Sequence, residues 1–210
     1  MKLRVITDPE AVDREIEIMH ELFALGLECL HLRKPGYEVE ELEALISAIK
    51  PEFRNRLVLH NHFELVKKYQ LGGLHLPERI RETLEAKNAL ETYITGYKNE
   101  GYNVGTSVHQ KEILLQISNS FDHVMVSPVF TSISKQHHIP AFSWDIAEWK
   151  GQLKPKVVGL GGISEHTLEQ AWNYGFEEVA VLGSVWLKPA RAMTNYLRLL
   201  NKANSLAVNS

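Results

Sequence analysis

Several kinds of protein are excluded by what this chain of 210 residues lacks. Its one cysteine, Cys29, has no second thiol to pair with, which excludes a disulfide-built scaffold and points to a reducing compartment. A buried, inert thiol is the expectation for Cys29. No segment reaches the roughly 18 unbroken apolar residues of a membrane span, and the opening residues Met1 to Asp8 hold no apolar stretch of signal-peptide length. No membrane partner and a cytoplasmic location are therefore expected. Long runs of one charge are also missing: 26 acidic residues face 23 basic ones for a net charge of -3, so nucleic acid is not an expected partner. Finally, the first β-rich run is not followed by a Gly-x-Gly-x-x-Gly turn, which argues against a dinucleotide-binding open sheet.

What is present is an even alternation. Short β-rich runs alternate with longer segments of helical period, the pattern of βα units around a parallel sheet. The runs are Leu3–Thr7, Glu28–Arg33, Arg56–His60, Gly73–Leu76, Asn103–Val108, His123–Val129, Lys156–Leu160 and Val179–Leu182. Helical segments are expected from Asp8-Pro9-Glu10 to about Leu25, with Gly26 as the stop, and from near Val39, Phe63, Arg79, Gln110, Ser143, Ser164 and Pro189. Eight such units in one chain of this length, with 44% hydrophobic residues, predict a single α/β domain closed as a (β/α)8 TIM barrel. The barrel is placed over residues 1–202, with 203–210 as a short polar tail that frays. The stretch Lys87–Gly101 exceeds the length of a tight connection and is either an extended helix or an ordered insertion.

A barrel carries its active site on the loops that leave the strand ends, and here those loops are polar. Candidates follow in order: His31 and Arg33 after the second run, His60, Asn61 and His62 after the third, His75 and Glu78 after the fourth, Ser107 and His109 after the fifth. The sixth gives Ser127 to Lys135, including Ser132 and Ser134. The seventh and eighth exit as Gly161-Gly162-Ile163-Ser164 and Leu182-Gly183-Ser184, where backbone N–H groups can meet an anion. Taken together these two exits predict a phosphate cradle, with Arg33 and Lys135 as further positive charge. Among the histidines, His109 is the best acid or base. Ordinary polar filling of the barrel is the expectation for the rest, since no carboxylate or cysteine completes a familiar metal-ligand spacing. The four tryptophans at 144, 149, 172 and 186 are read as packing residues.

The runs Leu30-His31-Leu32-Arg33-Lys34, Gly105-Thr106-Ser107-Val108-His109, Ser127-Pro128-Val129-Phe130-Thr131-Ser132-Ile133-Ser134-Lys135 and Gly161-Gly162-Ile163 resemble, in order, the thiamine phosphate synthase and TenI superfamily. The sixth-strand loop is similar to that family's Gly-Pro-x-[Phe/Tyr]-x-Thr-x-[Ser/Thr]-Lys. The resemblance implies a transferase of thiamine biosynthesis that joins a pyrimidine pyrophosphate to a thiazole phosphate, magnesium neutralising the pyrophosphate that leaves. Carried over residue by residue, Arg33 and Lys135 grip the pyrophosphate and Ser107 lies near the pyrimidine. Ser132 and Ser134, with Gly162, Gly183 and Ser184, surround the thiazole phosphate. His31 falls where the family has a glutamine, and His60-Asn61 where it has Asn-Asp. Its second metal aspartate aligns with Ile80, and Pro77 and Pro35 replace a glycine and a lysine. Such losses weaken a magnesium site. A thiazole tautomerase, with His109 moving the proton, is therefore an alternative, as is a non-catalytic binder of thiazole or thiamine phosphate. The partners implied are small phosphorylated molecules, and a small homo-oligomer is compatible with the fold.

Overall fold

The computed structural model describes residues 1–131, 142–149 and 151–208. Its eight strands are β1 Lys2–Ile6, β2 Leu30–Leu32, β3 Leu57–Leu59, β4 Gly73–Leu76, β5 Asn103–Val108, β6 His123–Val126, β7 Lys156–Leu160 and β8 Glu178–Val181. All neighbours pair in parallel and in sequence order, and β8 returns to β1, so the sheet is a closed barrel. The helices α1 Glu15–Ala24, α2 Val39–Ala48, α3 Pro51–Arg54, α4 Glu64–Lys68, α5 Glu78–Ala86, α6 Leu90–Lys98, α7 Lys111–Gln116, α8 Leu168–Asn173, α9 Gly183–Trp186 and α10 Ala192–Val208 occupy the connections. The fold is thus the expected single (β/α)8 barrel.

Five stretches differ from, or settle, the expectation for local reasons. The first helix begins at Glu15 rather than at Pro9, because the Asp8 carboxylate accepts the Glu10 N–H at 3.0 Å and closes a turn instead. Strand β6 stops at Val126, since Pro128 has no N–H to continue a ladder. The stretch 87–101 contains a second complete helix, α6. At the other end, the residues read as a frayed tail continue α10 to Val208, and Ala203 is buried against the barrel with its carbonyl taking the Met1 amino group at 3.2 Å. Near Ser143 the expected helix is only a short 3-10 turn, Ile146–Trp149.

The core has two parts. Leucine, valine and isoleucine from the outer faces of the strands pack against the helices, with Leu22, Leu42, Leu59, Leu74 and Val104 fully buried. Inside the barrel a smaller apolar cluster of Ile6, Met125, Val158 and Ala180 fills one side. Histidines fill the other. Arg4 closes the N-terminal end, donating from Nη2 and Nε to one carboxylate oxygen of Glu178 at 2.6 and 3.0 Å, and its Nη1 sits 3.9 Å from the Cys29 sulfur. Burial pushes the Cys29 thiol up to about 11, which leaves it protonated and inert as expected. Trp186 is buried and donates to the Ile6 carbonyl at 2.8 Å, while Trp144 donates to the Pro128 carbonyl at 3.1 Å, so both tie the helical shell to the strand ends.

Candidate active site

At the C-terminal ends of the strands a cavity of about 1510 Å³ opens, larger than the roughly 300–1,000 Å³ of an ordinary single-ligand pocket. A smaller hollow of about 330 Å³ lies at the N-terminal end around Arg4 and Glu178, the end of such a barrel that serves stability.

The wall at β7 and β8 carries the glycine-rich exits. Gly162 has φ +66°, and a Cβ there would meet the Thr131 carbonyl oxygen at 2.4 Å, so only glycine lets the two loops approach. Among the described residues no acceptor takes the amides of Gly162, Gly183 or Ser184. The Ser184 hydroxyl donates to the carbonyl of Ile163, which locks the two exits together and leaves the backbone N–H groups as the anion donors. All three residues line the cavity.

Along the cavity wall, Arg33 has no ionic partner among the described residues, whereas its neighbour Lys34 is fully buried and donates to Glu15 at 2.7 Å and to the Glu10 carbonyl at 2.6 Å. Of the two cations, only Arg33 is free to meet a ligand. Asn61 donates from Nδ2 to the Lys34 carbonyl at 3.1 Å, and its Oδ1 is buried without a partner. Asp8 also lines the cavity, at the exit of β1. Reading Asp8 as a helix cap hid it, and the only sequence clue was its place just past the first strand.

Between these walls, Ser107 and His109 leave β5. Ser107 Oγ lies 2.7 Å from His75 Nε2. His109, half exposed, places Nδ1 at 2.9 Å from the Ser127 carbonyl and Nε2 at 3.9 Å from Glu78. Below them sit His31, His60, His75 and His123. Burial lowers the basicity of all four, that of His75 to about 3, so they stand as neutral imidazoles. His60 and His75 reach the cavity, but His31 lies behind them, sealed from solvent, and does not line the wall. Ser132, Ser134 and Lys135 lie outside the described residues.

A magnesium site of the kind the sequence resemblance implies does not fit these residues. Among the described residues Asn61 offers one amide oxygen and Ile80 an alkyl chain, while the carboxylates of Glu78 and Asp8 are engaged by Arg81 at 3.4 Å and by the Glu10 N–H at 3.0 Å.

The family model for thiamine monophosphate synthase matches residues 3–185. The chain belongs to that family. It is 29% identical to the thiamine phosphate pyrophosphorylase of Bacteroides thetaiotaomicron over 99% of this chain and 98% of that one, with a TM-score of 0.73. Among curated relatives, the thiamine-phosphate synthase of Caldicellulosiruptor bescii is 26% identical over 165 residues, 76% of this chain and 72% of that protein. The one from Dictyoglomus thermophilum is 21% identical over 177 residues, 82% of this chain and 76% of that protein. No helix among the described residues is long and apolar enough to cross a membrane.

Proposed function

We propose that this family member is a transferase of thiamine biosynthesis that couples a hydroxymethylpyrimidine pyrophosphate to a thiazole phosphate and releases pyrophosphate. The observation that carries this reading is one continuous cavity with two anion-binding ends. Amides at Gly162, Gly183 and Ser184 that no described residue takes suit a monophosphate, and Arg33, without an ionic partner among the described residues, suits the more highly charged group. An isomerase acting on one thiazole phosphate needs only the first end. The relatives named above are synthases, which favours the same choice over a tautomerase.

In this reading the chain's own groups do four things. The amides fix the thiazole phosphate, while Arg33 meets the charge that grows on the departing pyrophosphate, an interaction stronger in the transition state than in the ground state. Ser107, oriented by His75, faces the pyrimidine. His109 holds a proton on Nδ1 against the Ser127 carbonyl and can take a second on Nε2 beside Glu78. Any magnesium would have to enter on the pyrophosphate's own oxygens, where it would supply charge neutralisation, and Lys135 is proposed as a further cation. A cytoplasmic location and a small homo-oligomer belong to the same proposal.

The deciding experiment incubates the purified protein with both substrates, with and without magnesium, and separately with the unaromatised thiazole carboxylate phosphate. Thiamine phosphate and pyrophosphate in equal amounts are expected from the first mixture. Turnover of the unaromatised thiazole alone would replace the transferase with an isomerase.

A further inference from the structure

The barrel interior holds a group of imidazoles that the coupling reaction leaves unexplained. His31 in β2, His75 in β4 and His123 in β6, with His60 immediately after β3, stand where an ordinary barrel would carry aliphatic side chains. The rings are in contact: His60 stacks on His75 with centroids 4.4 Å apart, and His31 stands edge-on to His60 at 5.2 Å and to His75 at 5.6 Å. One ring nitrogen from each of His31, His60 and His75 falls within 4.8 Å of the others. Room for a fourth ring is made by Gly105, where a Cβ would stand 2.1 Å from His123 Nε2.

Hydrogen bonding within the protein does not satisfy this group. A neutral imidazole has one donor and one acceptor nitrogen. His31 Nδ1 meets His60 Nε2 at 3.0 Å, and His75 Nε2 meets Ser107 at 2.7 Å. That leaves His31 Nε2, His75 Nδ1 and His123 Nε2 buried without any partner. Buried polar atoms are rarely left so; among the described residues His31 and His75, both in the converging group, each keep a ring nitrogen that a shared ion could take as ligand. A second imidazole nitrogen bound to a hydroxyl, as at His75 and Ser107, is the usual way a metal-binding ring is oriented.

We infer that His31, His60 and His75 bind one divalent transition-metal ion of the imidazole-preferring kind, zinc being the representative, with an open coordination position facing the cavity between His60 and His75. Three neutral nitrogen ligands and an open position are the arrangement of catalytic rather than structural zinc sites. Magnesium is a poor match to nitrogen donors: Asn61 offers it one amide oxygen and Ile80 none, whereas the nitrogen ligands deeper in the barrel suit a softer ion. The inference stands whether or not the cavity works as a coupling enzyme.

The test strips the full-length protein with a chelator and titrates it with cobalt(II), read by visible absorption, then displaces the cobalt with zinc. One equivalent with the intense bands of low-coordinate, nitrogen-bound cobalt is expected, and magnesium should not compete. His31→Gln and His75→Gln should each weaken binding by on the order of 100-fold, while His166→Gln on the exposed surface should not. X-ray absorption on the zinc-loaded wild type gives a second readout that needs no variant, and three imidazoles in the first shell are expected. Cobalt binding that survives both cluster substitutions, fewer than two imidazoles on zinc, or no binding at one equivalent overturns the site. A cluster variant that fails to fold leaves the decision to the absorption spectrum of the wild type.

Discussion

His109 Nδ1 lies 2.9 Å from the carbonyl oxygen of Ser127. A carbonyl can only accept, so a proton on Nδ1 satisfies this contact, with the Ser127 hydroxyl 3.1 Å away, and leaves the Nε2 lone pair facing the Glu78 carboxylate at 3.9 Å. His109→Ala should lower kcat by roughly 100-fold or more, with little change in melting temperature because the side chain is half exposed. Steady-state kinetics beside a thermal melt separate the two. A change in KM alone would make His109 a binding residue.

Arg33 is a cation without an ionic partner among the described residues, next to one that is fully occupied. Its removal should therefore be felt by the ligand. For Arg33→Ala, loss of charge-assisted hydrogen bonds of about 1.5–3 kcal/mol corresponds to roughly 10–150-fold weaker binding of a pyrophosphate-bearing ligand. Thiazole phosphate, held at the other end, should lose far less. Equal losses in competitive binding assays would mean that Arg33 serves the monophosphate.

The glycine exits lead to a structural expectation. Crystals grown in sulfate should show the anion on the amides of Gly162, Gly183 and Ser184. Gly162→Ala forces a Cβ against the Thr131 carbonyl at a backbone angle that side chains avoid. It should cost about 1–3 kcal/mol in urea unfolding and abolish the stabilisation that inorganic phosphate gives the wild type. If phosphate stabilises both proteins equally, the anion binds elsewhere.

The barrel was legible because its signals are local. Eight apolar runs, each followed by a helical segment, leave little other architecture, and β4, β5 and β7 match the runs residue for residue. The exits of Gly162 and Gly183 were legible for the same reason, since position past a strand places a residue at the cavity. What the sequence concealed depends on contacts between distant segments. Lys34 and Arg33 are adjacent cations in sequence, and only the packing of α1 shows that Glu15 takes one of them. Asp8-Pro9-Glu10 has the residue types of a helix start, yet the Asp8 carboxylate closes a turn ahead of the helix. The histidines at 31, 60, 75 and 123 are spread over more than ninety residues, and no spacing rule brings them together; barrel closure does.

Acid should weaken the N-terminal end of the barrel. Burial raises the Glu178 carboxyl, but the charges of Arg4 and Lys156 outweigh it and hold the carboxyl below the ordinary carboxylate value. A depressed carboxylate contributes stability that is fully present above its unfolded pKa and is lost as pH falls through the folded one. Glu178→Gln, which leaves Arg4 without its counter-charge, should cost up to about 3–5 kcal/mol near neutral pH. Urea midpoints for the two proteins should converge as pH drops below the usual carboxylate range. A gap that stays constant down to strong acid would mean that packing, not charge, is what the glutamate supplies.

Magnesium supplies the last expectation, and it follows from counting oxygens at the rim. A hard divalent ion that prefers octahedral oxygen coordination finds one amide oxygen at Asn61. It finds nothing at Ile80. The Glu78 carboxylate is shared with Arg81 and stands near His109, so drawing it to a metal would break two interactions. The Asp8 carboxylate is held by the Glu10 N–H. The free protein should therefore bind magnesium only weakly, at roughly millimolar concentration or above, the range of poorly provided oxygen sites. Pyrophosphate supplies its own oxygens, and with Arg33 it should carry the ion in as a complex. Calorimetric titration with magnesium alone should give almost no heat, and the same titration with pyrophosphate present should give a saturable signal that Arg33→Ala reduces. Tight binding to the free protein would show that Asn61, Glu78 and Asp8 converge on an ion after all.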